Sequence, residues 1–194
     1  MARLGREFYE RPTLTVAREM LGKYLVFQGK VGKIVETEGY LGPEDLGSHA
    51  RSGPTPRNSI MFGPPGFVYV YMTYGLHYLL NITTEKEGIP GAVLIRALEP
   101  KVGIEVATNG PARLTKALGI NLAHKGLDIT GRTIYLEDRG DPFDRTQGHS
   151  ERSRKSDKIE EVVETTRVGI DYAGEYAKKP WRFFIKGNTF VSKL

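Results

Sequence analysis

A chain of 194 residues, 39% hydrophobic and 10% aromatic, is long enough for one well-buried domain and too apolar to stay disordered. It has no cysteine, which excludes disulfides, thiolate zinc sites and thiol catalysis and fits a reducing cytoplasm. The formal charge of +5 at pH 7 suits a polyanionic partner such as nucleic acid without demanding one. The start, "MARLGREFYERPTL", carries no apolar core of signal-peptide length, and nowhere do about 18 apolar residues run together, so neither a leader nor a membrane span is expected.

In chain order, "TLTVAREMLG" predicts a short helix. Thr13 or Thr15 would cap it, Val16, Met20 and Leu21 would face inward, and Gly22 would end it. "KYLVFQGKVGKIVETEGY" predicts a β-hairpin turning near Gly29 and Lys30. The next segment, "LGPEDLGSHARSGPTPRNSIMFGPPG", is studded with glycine and proline, and a loop of that length is often functional. "FVYVYMTYGLHYLLNITT" predicts a second hairpin turning near Tyr74 and Gly75. "GAVLIRALEP" is a strand stopped by Pro100, and "NGPARLTKALGI" a helix with Pro111 in its first turn. "RTIYLED" is a short strand, and the charged "RGDPFDRTQGHSERSRKSDK" is expected to be mobile at its tip. The chain closes with a bend, a helical turn and a last hairpin around Gly187 and Asn188. Strands in hairpins with helices between them predict one α+β domain over 1–194, with a largely antiparallel curved sheet, peripheral helices and a protruding hairpin.

Glu36 and Glu38 in "VETEGY" stand at i and i+2 and share a strand face, roughly 7 Å apart. They are either a solvated edge pair or a sign that one is there for chemistry. A carboxylate beside Tyr40 and a loop histidine is a fair general base for water, and the spacing also overlaps that of an inverting glycosidase pair. Tyr69 reads as strand packing. Tyr74, beside a turn, is badly placed for packing and well placed as a wedge between stacked bases. Arg51, Arg57, Arg96, Arg113, Lys116 and the 145–158 tract are either ordinary solvated surface or phosphate contacts. His49, His77, His124 and His149 are scattered, and there is no glycine-rich phosphate loop and no GxSxG. Neither a metal site nor a cofactor is expected.

Four longer blocks belong together: "GKIVETEGYLGPEDLGSHA", then "TPRNSIMFGPPGFVYVYMTYGLHYLLNI", then "AVLIRALEP", then "RVGIDYAGEYAKKPWRFFIKGN". They resemble the alkyladenine DNA glycosylase family, also called methylpurine or 3-methyladenine DNA glycosylases, in family order and over most of the chain. The resemblance implies a monofunctional hydrolase of base excision repair. Such an enzyme flips a damaged purine out of duplex DNA, hydrolyses its N-glycosidic bond with an activated water and leaves an abasic site. It needs no cofactor. Its substrates would be 3-methyladenine and other alkylpurines, with hypoxanthine and ethenoadenine left open. Its partner would be double-stranded DNA bearing damaged purines, and it would act as a monomer in the cytoplasm, at the nucleoid in a bacterium.

Carried onto this chain, the resemblance implies that Glu38, not Glu36, deprotonates the water. Arg96 and the backbone carbonyl of Val168 would place that water. Tyr40, His49 and Tyr71 would sandwich the flipped base, Asn81 would disfavour the amino group of normal guanine, and Tyr74 would fill the gap in the duplex. Electron-rich rings suit a cationic alkylpurine, and no lysine falls at the catalytic position, so water is the expected nucleophile. Gly39 and Ser48 stand where alanine is more familiar in the family, and His77 where an aromatic is. Residues 107–109 form a shorter segment than in longer members, and 139–158 a longer one. Two rivals remain: a binding module on the same scaffold, which has no use for the carboxylate, and a sugar hydrolase in which Glu36 matters as much as Glu38.

Overall fold

Strands joined by turns of two or three residues can pair only antiparallel. The computed structural model describes residues 1–140 and 160–192, and all its strand pairings within the sheet are antiparallel. In chain order the elements are β1 (Ala2–Arg3), α1 (Arg6–Tyr9), α2 (Thr13–Glu19), β2 (Tyr24–Phe27), β3 (Lys30–Tyr40), β4 (Val68–Thr73), β5 (His77–Thr84), β6 (Gly91–Val102), α3 (Pro111–Leu118), β7 (Ile134–Asp138), β8 (Val162–Thr165) and β9 (Arg182–Ile185). The sheet order is β1-β7-β2-β3-β6-β5-β4, with β9 joining β3 and β8 joining β9. The protein is a single α+β domain with a curved sheet, as its sequence predicts. The 145–158 tract and His149 lie outside the described residues.

Alternation sorts the two faces of the sheet. In β4, Val68 and Val70 enter the main core, while Tyr69 and Tyr71 join a smaller cluster on the opposite face. In β5, Leu80 and Ile82 go to the core and Asn81 to the other side. Helices α2 and α3 cover the core face with Val16, Ala17, Leu114 and Leu118. The opposite face is roofed by residues 41–67, which contribute Ala50, Met61, Ile60 and Phe62.

The alternation fails at one place, where β3 meets β6. Ile34 and Val35 are consecutive, yet both lie in the main core. A regular strand cannot do this, because neighbouring side chains point to opposite faces. The register explains it: Ile34 pairs with Leu98 and Glu36 with Ala97, leaving Val35 as an extra residue. One step on, Glu36 pairs with Ala97 and Thr37 with Ile95, leaving Arg96 as an extra residue on β6. Two bulges on opposite strands restore the register while re-aiming the side chains between them. Those side chains include Glu36 and Arg96.

Several local expectations need correction. Neither Thr13 nor Thr15 caps α2: Pro12 is the N-cap, and the orphan N–H of Thr13 is taken by the Glu85 carboxylate at 2.6 Å. Pro100 does not stop β6, which runs to Val102. Leu98 bonds through its N–H to Thr108, away from β3, and Pro100 has the same orientation two residues on, so its missing donor weakens no β3 rung. The last hairpin does not form: β9 pairs with β8, an element the sequence reading missed, and with β3. The first turn is as expected, with Gln28 and Gly29 both at positive φ, the signature of a tight hairpin.

Replacing Glu85 by Ala removes the acceptor that holds the start of α2. The expected cost is about 1 kcal/mol of unfolding free energy, read as a lower melting temperature; an unchanged melt would mean that the helix start is held elsewhere.

Candidate active site

Glu36 and Glu38 are both fully buried, so neither is a solvated edge residue. They differ in what they touch. Glu36 has four donors: its Oε1 accepts from Arg96 Nε at 2.9 Å, Arg182 Nε at 2.7 Å and the Ser192 hydroxyl at 2.8 Å, and its Oε2 accepts from the Ser192 N–H at 2.7 Å. Glu38 accepts from the Tyr40 hydroxyl at 2.8 Å and the Val168 N–H at 2.8 Å, and an Arg96 terminal nitrogen lies 3.2 Å from its Oε1. Arg96 thus stands between the two carboxylates. Burial alone would lower its pKa, but Glu38 and then Glu36 more than offset that and raise it. Tyr40 is held well above its ordinary pKa by burial first and by the Glu38 charge second, so its hydroxyl stays a neutral donor.

These groups form the floor of a cavity of about 390 Å³. Tyr40, Arg96 and Val168 line it; Glu38 lies behind them. One wall is aromatic. His49 meets the Tyr71 ring edge-on at 4.5 Å, and Tyr69 and Tyr71 lie 5.5 Å apart. His49 Nδ1 is 2.9 Å from the Tyr69 hydroxyl. Burial of that side of the ring, with Arg57 and Arg51 nearby, lowers the His49 pKa to about 4, although its outer face is open at the mouth. Burial pushes Tyr69 up to about 12, and Tyr71 is raised for the same first reason. Asn81 is fixed in the wall by its amide, which donates to the Tyr69 carbonyl at 3.2 Å.

Tyr74 stands at the tip of the β4–β5 hairpin, 87% exposed, with Met72 and Leu76 also exposed beside it. Its φ is +50°. A bulky residue in the left-handed region is an outlier that costs about 1–2 kcal/mol. The fold therefore holds an exposed aromatic in a strained conformation at the rim of the cavity.

All eight sequence-derived candidates converge here, and Val168 binds Glu38 through its N–H. Arg96 is buried, so it leaves the set of surface phosphate contacts, while Arg51, Arg57, Arg113 and Lys116 are exposed. Gly39 bears on helix packing: a Cβ there would stand 2.6 Å from Leu14 Cδ2, on the core side. Ser48 accepts from the Ala50 N–H and caps the 3-10 turn His49–Ser52 that carries the histidine. Sequence reasoning missed Asp45, Asn58, Arg167, Arg182 and Ser192, all buried and polar. Asp45, Arg167, Arg182 and Ser192 gain their roles from partners more than 100 positions away, so nothing in their local sequence marks them, while Asn58 bonds within its own loop.

A buried carboxylate behind an aromatic cavity is an arrangement that can serve hydrolysis of a glycosidic bond. The chain belongs to the methylpurine-DNA glycosylase family, whose profile it matches over residues 7–189. A protein of Anaeromyxobacter sp. strain Fw109-5 named "Putative 3-methyladenine DNA glycosylase" is 45% identical over 196 residues, covering 98% of this chain and 93% of that protein. One of the same name from Legionella pneumophila strain Corby is 44% identical over 197 residues and 100% of both chains. Another from Methanocella arvoryzae is 42% identical over 208 residues, covering 98% and 96%. The protein is thus a DNA glycosylase, an enzyme of DNA repair whose partner is DNA. Among the described residues no helix is long and apolar enough to cross a membrane.

With its pKa lowered from 6.5 to about 4, His49 is neutral at pH 7. Between those two values the folded chain binds fewer protons than the unfolded one, so the stability contributed by this ring falls as pH drops through that window. A ¹³C or ¹⁵N titration should find the ring unchanged from pH 8 to about 5.5; a midpoint near 6.5 would refute the environment described.

Proposed function

We propose that this glycosylase flips alkylated purines, 3-methyladenine among them, out of duplex DNA and hydrolyses the glycosidic bond with a water activated by Glu38. The observation that carries the reading is the asymmetry of the two carboxylates. Glu36 has four donors, of which only Arg96 belongs to a residue that lines the cavity, whereas Glu38 is held by groups that all line it. Water seated among Tyr40, Arg96 and Val168 would give its proton to Glu38 and its oxygen to C1′. The glycosidic electron pair would leave with the base, which departs neutral when alkylation has made it cationic. The transition state has oxocarbenium character, and a nearby carboxylate stabilises it.

The flipped base would lie against Tyr40, His49 and Tyr71. A neutral His49 suits this role, since a charged ring would repel a cationic purine. The immobilised amide of Asn81 would crowd the exocyclic amino group of guanine. Tyr74 would occupy the space vacated in the duplex, and the chain would act as a monomer. Hypoxanthine needs a proton at N7 before it leaves, so its release would follow a bell-shaped pH profile that alkylpurines do not share.

Single-turnover base release tests the assignment. Glu38→Gln should slow release from an alkylpurine duplex by about a hundredfold or more. Glu36→Gln should act on stability instead, costing about 3–5 kcal/mol because it leaves buried guanidiniums short of a partner. Equal rate losses in the two folded variants would reinstate the paired-carboxylate reading.

Tyr74→Asn separates strain from function. Asparagine tolerates positive φ, so the variant should melt no lower than wild type. It should nevertheless weaken flipping, read by 2-aminopurine fluorescence beside the lesion. An unchanged fluorescence signal would remove Tyr74 from the mechanism.

A further inference from the structure

Arg167 takes no part in the cavity wall, yet its guanidinium touches Tyr40 of that wall and the backbone between Glu38 and Tyr40. It is 5% exposed and directly precedes Val168, whose N–H holds Glu38. Its two terminal nitrogens bind both oxygens of Asp45, at 2.6 and 2.7 Å, and both side chains are wholly buried. The same nitrogens donate to the carbonyls of Gly39 at 2.9 Å and Tyr176 at 3.3 Å. Gly39 is the residue between Glu38 and Tyr40. The guanidinium also lies 4.6 Å from the centre of the Tyr40 ring and 4.9 Å from that of Trp181.

Asp45 completes the device. It accepts from the N–H groups of Leu41 and Gly47, which fixes the start of the loop that carries His49. The approach is close: a Cβ on Gly47 would stand 3.0 Å from an Arg167 nitrogen.

A buried ion pair is a weak source of net stability compared with apolar side chains of the same size. What a bidentate fork supplies is direction. Here the directions converge on one carboxylate. The Gly39 carbonyl and the Tyr40 ring set where the tyrosine hydroxyl meets one oxygen of Glu38, and the adjoining Val168 amide meets the other. We infer that Arg167 and Asp45 are positioning residues for base release, holding Tyr40 and Val168 against the two oxygens of Glu38 and anchoring the His49 loop. This rests on the reading of Glu38 as the base. A lysine cannot replace the arginine, because a point charge has neither the fork nor the flat face.

The test is single-turnover release of 7-methylguanine from a duplex carrying one such lesion. Wild type, Arg167→Lys, Asp45→Asn, Glu38→Gln and the two double variants with Glu38→Gln are compared, each with a melting curve and its affinity for abasic-site DNA. Arg167→Lys and Asp45→Asn should each slow the saturating rate by about ten- to a hundredfold, the loss that a misplacement of about 1 Å brings, with DNA affinity little changed. On the Glu38→Gln background neither should cost anything further, because no base is left to aim. Losses of the same size on both backgrounds would be general structural damage and would overturn the inference. So would a wild-type rate in either folded variant. Should Arg167→Lys fail to fold, Asp45→Asn decides by the same two criteria. Wild-type release by Glu38→Gln would remove the assignment of the base itself, a separate and recognisable failure that takes the inference with it.

Discussion

The charge balance beneath the cavity governs the rest of this structure. Two carboxylates, Glu36 and Glu38, are buried without exposure, and two guanidiniums, Arg96 and Arg182, are buried with them. At an effective dielectric of about 20, two unit charges about 4 Å apart interact by about 4 kcal/mol. The carboxylates could not share this space without the arginines, and the arginines could not be buried without the carboxylates. Paired bulges on β3 and β6 make the geometry possible, because they let Arg96 leave the ladder and reach both acids.

The long segment over residues 41–67 owes its order to buried polar side chains. Asp45 binds two backbone N–H groups and Arg167. Asn58 donates to the His49 carbonyl at 2.7 Å and the Gly53 carbonyl at 3.1 Å, and accepts from Thr55. Each buried polar atom is satisfied by backbone that a loop would otherwise expose to water. The segment thereby becomes a wall, with His49 in a fixed place on it. The wall leaves the cavity preformed, and the strained turn keeps the Tyr74 ring projecting from the hairpin tip.

Much of the architecture is legible in the chain. Valines alternate with tyrosines in "VYVYMT", and the valines enter the core while the tyrosines face the cavity. Gly29 and Gly75 mark the turns of both hairpins, and Pro111 marks the start of α3. The elements that escaped are those lacking a local signal. Strand β8 is four residues long and, among the described residues, pairs only with β9, and the bulges interrupt a run of strand formers that gives no hint of them. The cap of α2 comes from Glu85, which no inspection of the helix itself could find.

The site divides in the same way. Residue types and their order led to the family resemblance and, through it, to a cluster of candidates that the fold brings together. They did not distinguish Glu36 from Glu38 by physics: the two are chemically identical, two residues apart, on one face of one strand. That distinction belongs to the tertiary structure. Ser192, 156 positions from Glu36, and Val168, 130 positions from Glu38, decide which carboxylate is held away from the cavity and which is held by groups that line it. Hydrogen bonds are directional and short, so an acid's role follows from what folding brings within 3 Å of it rather than from its neighbours in the chain.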